Sequence, residues 1–495
     1  MTVAMFERSA LPNFHSRRLQ ISRRLRIIAA AAALVAVVGN ARSLAGGQPV
    51  VETAGEQPDG KTAADDSVGA TAESVEASWP AWRGPQANGV AGEGTFPIRW
   101  SETQNVVWKT RVPGLGGSTP IVSDGVVYLT AGDGGKNQLF GLDFQSGDQI
   151  FATELGDDTG NKHRKGGGSN PSVAIGRIGG ADGRNVAVAY FRSGDLAAVD
   201  ATGKILWHWN VQERFDDDTL WWDLGSSPVV HGDAVFLAVV QTGPSYLIKI
   251  DLATGEVVFK RDRDVPAPEE AAQTYATPVI TRVGDREVVA ILGADHLTVH
   301  DINDGSVLGK LGGFNPTDNH YFRSIASPVC SGDVLIFPYA RGETVTAIDL
   351  KRLIAPESST AASDAILWQI DSIGSDVPTP AVDGDTVYIV DDSKAGKGTV
   401  AALDLRSGKT LWTTQLVKSR HTVSASPIVA EKHLYVVRED GMTSVIGPLY
   451  ADEPRVLHEN ALDDAELYTV ASPVAVGNSL LIRTRHTLYR FSENP

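Results

Sequence analysis

The stretch "DDDTLWWDLGSSPVV" at 216–230 places three consecutive carboxylates, two tryptophans and a fourth acid before a small apolar run. Asp216, Asp217, Asp218 and Asp223 carry the oxygen donors of a metal or acid–base site, and Trp221 and Trp222 offer flat apolar faces. Similar chemistry is scattered elsewhere: His163, Arg164 and Lys165 in "GNKHRKGGGSN", Tyr275 in "AAQTYAT", and His320, Tyr321 and Arg323 in "NPTDNHYFRSIAS". Asp376, Arg420, His421 and Tyr468 complete the set. As a binding site, the aromatics would stack on a planar or sugar-like ring while Arg and His hydrogen-bond it. As a metal site, His163, His320 and His421, with Asp223, would need to come within bonding range of zinc or copper. As an acid–base site, Asp223 or Asp376 would be a base tuned by Arg323 or His421. The plainest reading is that polar loop residues satisfy one another. The choice rests on which elements position these loops.

Composition narrows the classes first. The 495 residues are 42% apolar, with 50 Gly and 25 Pro, a mix that favours many strands and turns over helices. Arg17, Arg18, Arg23, Arg24 and Arg26 precede an apolar run from Ile27 to Val38 and the small residues Ser43-Leu44-Ala45. Twelve apolar residues are too few to span a bilayer and suit the core of a secretory signal peptide over 1–45. Removing that segment, with its seven Arg and one Glu, leaves 37 basic and 59 acidic side chains, a net charge of −22. So acidic a chain is a poor partner for nucleic acid or an anionic membrane. Residues 46–78 lack hydrophobic periodicity and read as a flexible linker. The single Cys330 excludes an internal disulfide and a multi-cysteine metal cluster. It lies in a strand-like run and reads as a buried, inert thiol. An exported protein of the periplasm or exterior is expected, monomeric and with no membrane insertion once the signal is cleaved.

From Trp79 onward the chain repeats. A small residue, Pro and an apolar run recur at Pro120, Pro171, Pro228, Pro278, Pro328, Pro380, Pro427 and Pro473, at intervals of 46 to 57 residues. Each opener leads to a turn and a second strand, then a third strand ending in Asp, a Gly turn, and a fourth strand that often carries an aromatic. "LAAVDATGKILWHWN" and "VAALDLRSGKTLWTTQL" are the clearest copies. Four short strands per unit of this length describe a propeller blade, so the expected fold is an all-β, eight-bladed β-propeller over 79–495. The last unit has three strands, and "NVVWKTRV" (105–112) is an orphan fourth, so pairing them closes the ring. Asp143, Asp200, Asp251, Asp301 and Asp404 share one blade position and read as turn formers. "DINDGSVLG" (301–309) falls on that turn, and Gly305 is fifth where an EF-hand needs it sixth. No Walker A, H-E-x-x-H or G-x-S-x-G motif occurs.

The A-x-D-x-x-[ST]-G-x-x-x-W pattern, with the entry "WPAWRGPQANGVAGEG" (79–94), resembles the pyrroloquinoline-quinone-type repeat of exported bacterial propellers. That fold serves quinoprotein alcohol dehydrogenases and the outer-membrane assembly lipoprotein BamB. The resemblance covers about 79–492 and implies fold more than function. The dehydrogenases carry a vicinal cysteine pair and the haem-bearing ones a C-x-x-C-H; neither is present, nor is a lipid-attachment Cys. In a propeller, the segments before each opener gather at one channel mouth. His163, Arg164, Trp222, Asp223, Tyr275, His320, Arg323, His421 and Tyr468 are therefore the expected ligand-binding residues there. A non-catalytic binding or scaffold module is expected, for a small polar or polymeric ligand or a protein partner. No cofactor or metal set is assigned. The alternative is a quinoprotein dehydrogenase of alcohols, including polyvinyl alcohol, using the quinone with a divalent ion and Asp223 or Asp376 as base.

Overall fold

The computed structural model describes residues 78–160, 163–180, 183–355, 361–393, 396–462 and 468–493. The expected signal peptide, and the linker up to residue 77, lie outside them. Among the described residues there are eight four-stranded antiparallel sheets, each a blade. In the first, Ile121–Ser123, Val126–Asp133, Lys136–Asp143 and Gln149–Asp157 pair in chain order. In the eighth, Val106–Arg111 hydrogen-bonds along Thr487–Phe491, outside Ser479–Arg483 and Val474–Val476. The amino-terminal strand thus completes the last blade and closes the ring, which leaves that blade no bare edge.

Burial follows strand position. Inner strands of successive blades lie against one another around the axis, and middle strands are buried on both faces. Outer strands alternate, as in Thr410–Gln415, because one face meets solvent. The apolar layers lie between blades: Val186, Val188 and Ala198 of the second pack on Val235, Leu237 and Ile248 of the third. Each Val, Leu or Ile among them contributes roughly 1.5–3 kcal/mol by leaving water.

The repeated Asp, Gly and aromatic lock neighbouring blades together. Asp143 Oδ1 accepts the backbone N–H groups of Gln145 and Ser146 at 2.9 and 2.7 Å, and Asp251 those of Ala253 and Thr254 at 3.0 and 2.8 Å. The glycine that follows has positive φ, as at Gly255 (74°), and the preceding blade's aromatic lies flat against it. A Cβ on Gly255 would sit 2.7 Å from the Trp207 ring. The indole N–H of Trp207 then donates to Leu252 O at 2.8 Å, Trp108 to Phe144 O at 3.0 Å and Trp368 to Leu405 O at 2.9 Å. Trp412 occupies the same slot but leans on Tyr388 of its own blade, since the next blade has no Asp–Gly turn to receive it.

One sequence assignment shifts. The inner strand of the second blade is Ala174–Ile178, so Val173 occupies the slot held elsewhere by Pro, and Pro171 lies two residues too early. The intervals on either side become 53 and 55 residues, still the longest in the ring. The register is set by a hydroxyl belt. The backbone N–H of each belt residue donates to the next hydroxyl at 2.8–3.2 Å, in the order Thr119, Ser172, Ser227, Thr277, Ser327, Thr379, Ser426, Ser472 and back to Thr119. Every blade contributes one hydroxyl and one N–H, so each buried N–H is satisfied across the blade boundary.

Candidate functional site

The entry segment crosses the channel. Pro80 O accepts from Ile175 N, Asn88 O from Val382 N and Gly89 O from Val429 N, while Trp79 pairs with Val122. These contacts fall on inner strands of blades one and two on one side and six and seven on the other. Each contacted residue lies three positions beyond a belt residue, so the segment runs about 10 Å below the belt. It spans the channel there, and Trp82 reaches the cavity above it. Access is therefore from the mouth where the segments before the openers gather.

That mouth holds a cavity of about 430 Å³. Six belt hydroxyls surround its base, and its walls carry His163, Lys165, Trp222, Asp223, Tyr275, Arg323, Arg341 and Asp376. The cations of the wall are matched to acids. Buried Glu270 accepts from the Trp222 indole N–H at 2.8 Å and pairs with Arg323 at 3.3 Å and Arg341 at 3.5 Å. Arg323 also meets Asp376 at 3.2 Å. Lys165 pairs with buried Glu439, which accepts the Ser424 hydroxyl at 2.6 Å. Asp223 accepts the His163 backbone N–H at 3.0 Å and lies 3.9 Å from Arg192. Gly166 makes that fit possible, because a Cβ there would lie 2.4 Å from Asp223 Oδ2.

Burial and the cations of Lys165 and Arg164 hold the His163 imidazole below its usual pKa, so it is neutral at pH 7. Burial raises the Tyr275 hydroxyl, which donates to Gln273 Oε1 at 3.0 Å. Behind the wall, Asp392 accepts the N–H groups of Asp376 and Val377, yet burial and the nearby Asp376 charge push its carboxyl up to about 7.

Of the residues singled out from sequence, His163, Lys165, Trp222, Asp223, Tyr275, Arg323 and Asp376 face the cavity. Arg164, His320, His421 and Tyr468 do not. Arg164 offers its carbonyl to Arg485, and His320 sits outside beside Glu269 at 3.3 Å. His421 takes a hydrogen bond from Arg420 at 3.1 Å, and Tyr468 lies under Arg485. The three histidines do not assemble a ligand set, and no cluster of three His, Cys, Asp or Glu placed to hold a metal occurs among the described residues. Within the Asp run, Asp218 is mostly buried and pairs with Arg192, anchoring the segment that carries Trp222. Cys330 is only half-buried, and burial pushes its thiol up to about 12. Glu270, Glu439, Arg341 and Trp82 escaped the sequence reading. Only Trp82, within the quoted entry segment, carried a signal.

Comparisons with known proteins agree with this architecture. Residues 89–268, 192–352 and 357–490 match the family described as outer membrane protein assembly factor BamB. No curated protein matches the chain. Among solved structures, BamB from Moraxella catarrhalis superposes with a TM-score of 0.53 at 15% identity, covering 78% of this chain and 99% of its own. A europium-containing methanol dehydrogenase gives 0.60 at 10% identity, covering 84% and 98%. A quinohemoprotein alcohol dehydrogenase from Pseudomonas putida HK5 gives 0.55 at 14% identity, covering 84% and 80%. At such identities the likeness is one of fold.

Proposed function

The chain belongs to the BamB family of pyrroloquinoline-quinone-type repeat propellers, and from that premise we propose that it is an exported, non-catalytic binding module whose ligand enters the cavity at the open channel mouth. The observation that carries this reading is the pairing of the cavity wall. Arg323, Arg341 and Lys165 are each held by a carboxylate, and two of the acids, Glu270 and Glu439, are buried. Such a wall is preorganised to hold shape, since its charges already satisfy one another.

The dehydrogenase alternative requires a site for the quinone and its divalent ion, and the described residues do not fit one. The quinone is a polycarboxylate, whereas the wall's cations are committed to Glu270, Asp376 and Glu439. Asp223 and Asp376 do not converge with further acids or imidazoles into an ion-holding set. As candidate bases they are likewise engaged, Asp376 with Arg323 and Asp223 with the His163 N–H.

The test mixes the chain from residue 46 with the quinone and calcium, then follows quinone uptake by absorbance and dye reduction with simple and polymeric alcohols. No uptake is expected. Stoichiometric uptake with turnover would overturn the reading.

A further inference from the structure

We propose that the cavity takes the terminal ring of a neutral, hydroxyl-rich chain, a pyranose at the end of an uncharged oligosaccharide. This deepens the binding-module reading and rests on it. The first argument is charge. With Arg323 between Glu270 and Asp376, and Lys165 on Glu439, the charges of the wall are already paired, so an incoming ion would lose its own hydration without an unpaired countercharge to replace it.

The second argument is hydrogen-bond inventory. Each belt hydroxyl accepts one backbone N–H and retains its own O–H and a lone pair, so the cavity base can both donate and accept. In the wall, Asn170 Oδ1 is a buried acceptor and Arg323 Nη1 a buried donor without a hydrogen-bond partner in the protein, and both residues line the cavity. A group that donates and accepts at once, as a sugar hydroxyl does, suits that combination.

The third argument is shape. Trp222 is 40% exposed while its indole N–H is tied to Glu270, which fixes the ring and leaves apolar surface for the C–H face of a sugar. The entry segment crosses the channel beneath, in the path of any chain that would thread through. A cavity of about 430 Å³ lies at the small end of ligand sites and holds one or two rings, not a long segment.

The experiment titrates the unaltered chain calorimetrically with maltotriose, cellotriose and N,N′,N″-triacetylchitotriose. Trigalacturonate serves as the anionic counterpart of similar size, and a cyclic maltooligosaccharide as a neutral glycan without ends. At least one neutral trisaccharide should bind, trigalacturonate at least ten-fold more weakly, and the cyclic sugar not at all. Trp222→Ala should weaken the bound trisaccharide about five-fold or more, the scale of one lost aromatic contact. Retained melting behaviour serves as its folding control. Absence of binding by all three trisaccharides overturns the proposal, as does equal affinity for trigalacturonate or the cyclic sugar. Capture of a peptide in the cavity instead would also overturn it while leaving the binding-module reading standing. Quinone uptake with turnover is the separate result that removes both.

Discussion

The docking tryptophans yield a prediction whose size can be worked from the structure. Trp207 and Trp368 are 92% buried and each donates to a carbonyl of the following blade. Truncating such a ring to Ala removes buried area and leaves a cavity, about 3–5 kcal/mol. The unpaired carbonyl adds about 1 kcal/mol. Trp412 holds the same repeat position but is only partly buried and has no following Asp–Gly turn to dock against. Its truncation should cost about half as much, roughly 2 kcal/mol, on the same scale of burial. Guanidinium denaturation of the three variants, monitored by tryptophan fluorescence and circular dichroism, gives the comparison. Gly255→Ala approaches the Trp207 contact from the other side, because its Cβ would lie 2.7 Å from the ring. The double variant Trp207→Ala/Gly255→Ala should therefore fall short of additivity by about 1 kcal/mol or more. If Trp412→Ala costs as much as Trp207→Ala, or the double variant is strictly additive, blade docking is not what these residues do.

Three further outcomes are expected. Glu270→Gln keeps an acceptor for Trp222 but removes the charge facing Arg323, and since Asp376 remains as a second partner the loss should be about 2 kcal/mol, below the 3–5 of a fully broken buried pair; urea unfolding measures it. Ser227→Ala removes the acceptor of the Ser172 N–H within the belt and should cost about 1–3 kcal/mol, with earlier amide exchange at Ser172 by mass spectrometry. For Asp392 the carboxyl is raised from 3.8 to about 7 in the folded chain, so ionising it costs stability progressively as pH rises from near 4 through 7. The stability of Asp392→Asn relative to the unaltered chain should therefore increase across that range and level off above it; a pH-independent difference in melting temperature would remove this account.

The blade count, the closing strand and the turn aspartates were legible in the sequence because each is a local or nearest-neighbour device copied around the ring. Asp143 bonds its own turn, Trp207 docks on the next blade, and both recur at fixed spacing. Pro171 misled because a proline two residues early imitates the opener, and only the belt hydroxyl of Ser172 reveals the true register. The mouth was half legible: residues before each opener must gather there, and Trp222, Asp223, Tyr275 and Arg323 do. What the sequence could not decide is which of them turn inward and what they meet. Glu270 closes on Arg323 from another blade, Lys165 finds Glu439 far along the chain, and the entry segment crosses from blades one and two to six and seven. Those contacts are made once, across a ring, by residues that no repeat requires. Periodicity therefore carries the scaffold, and tertiary closure alone decides the site.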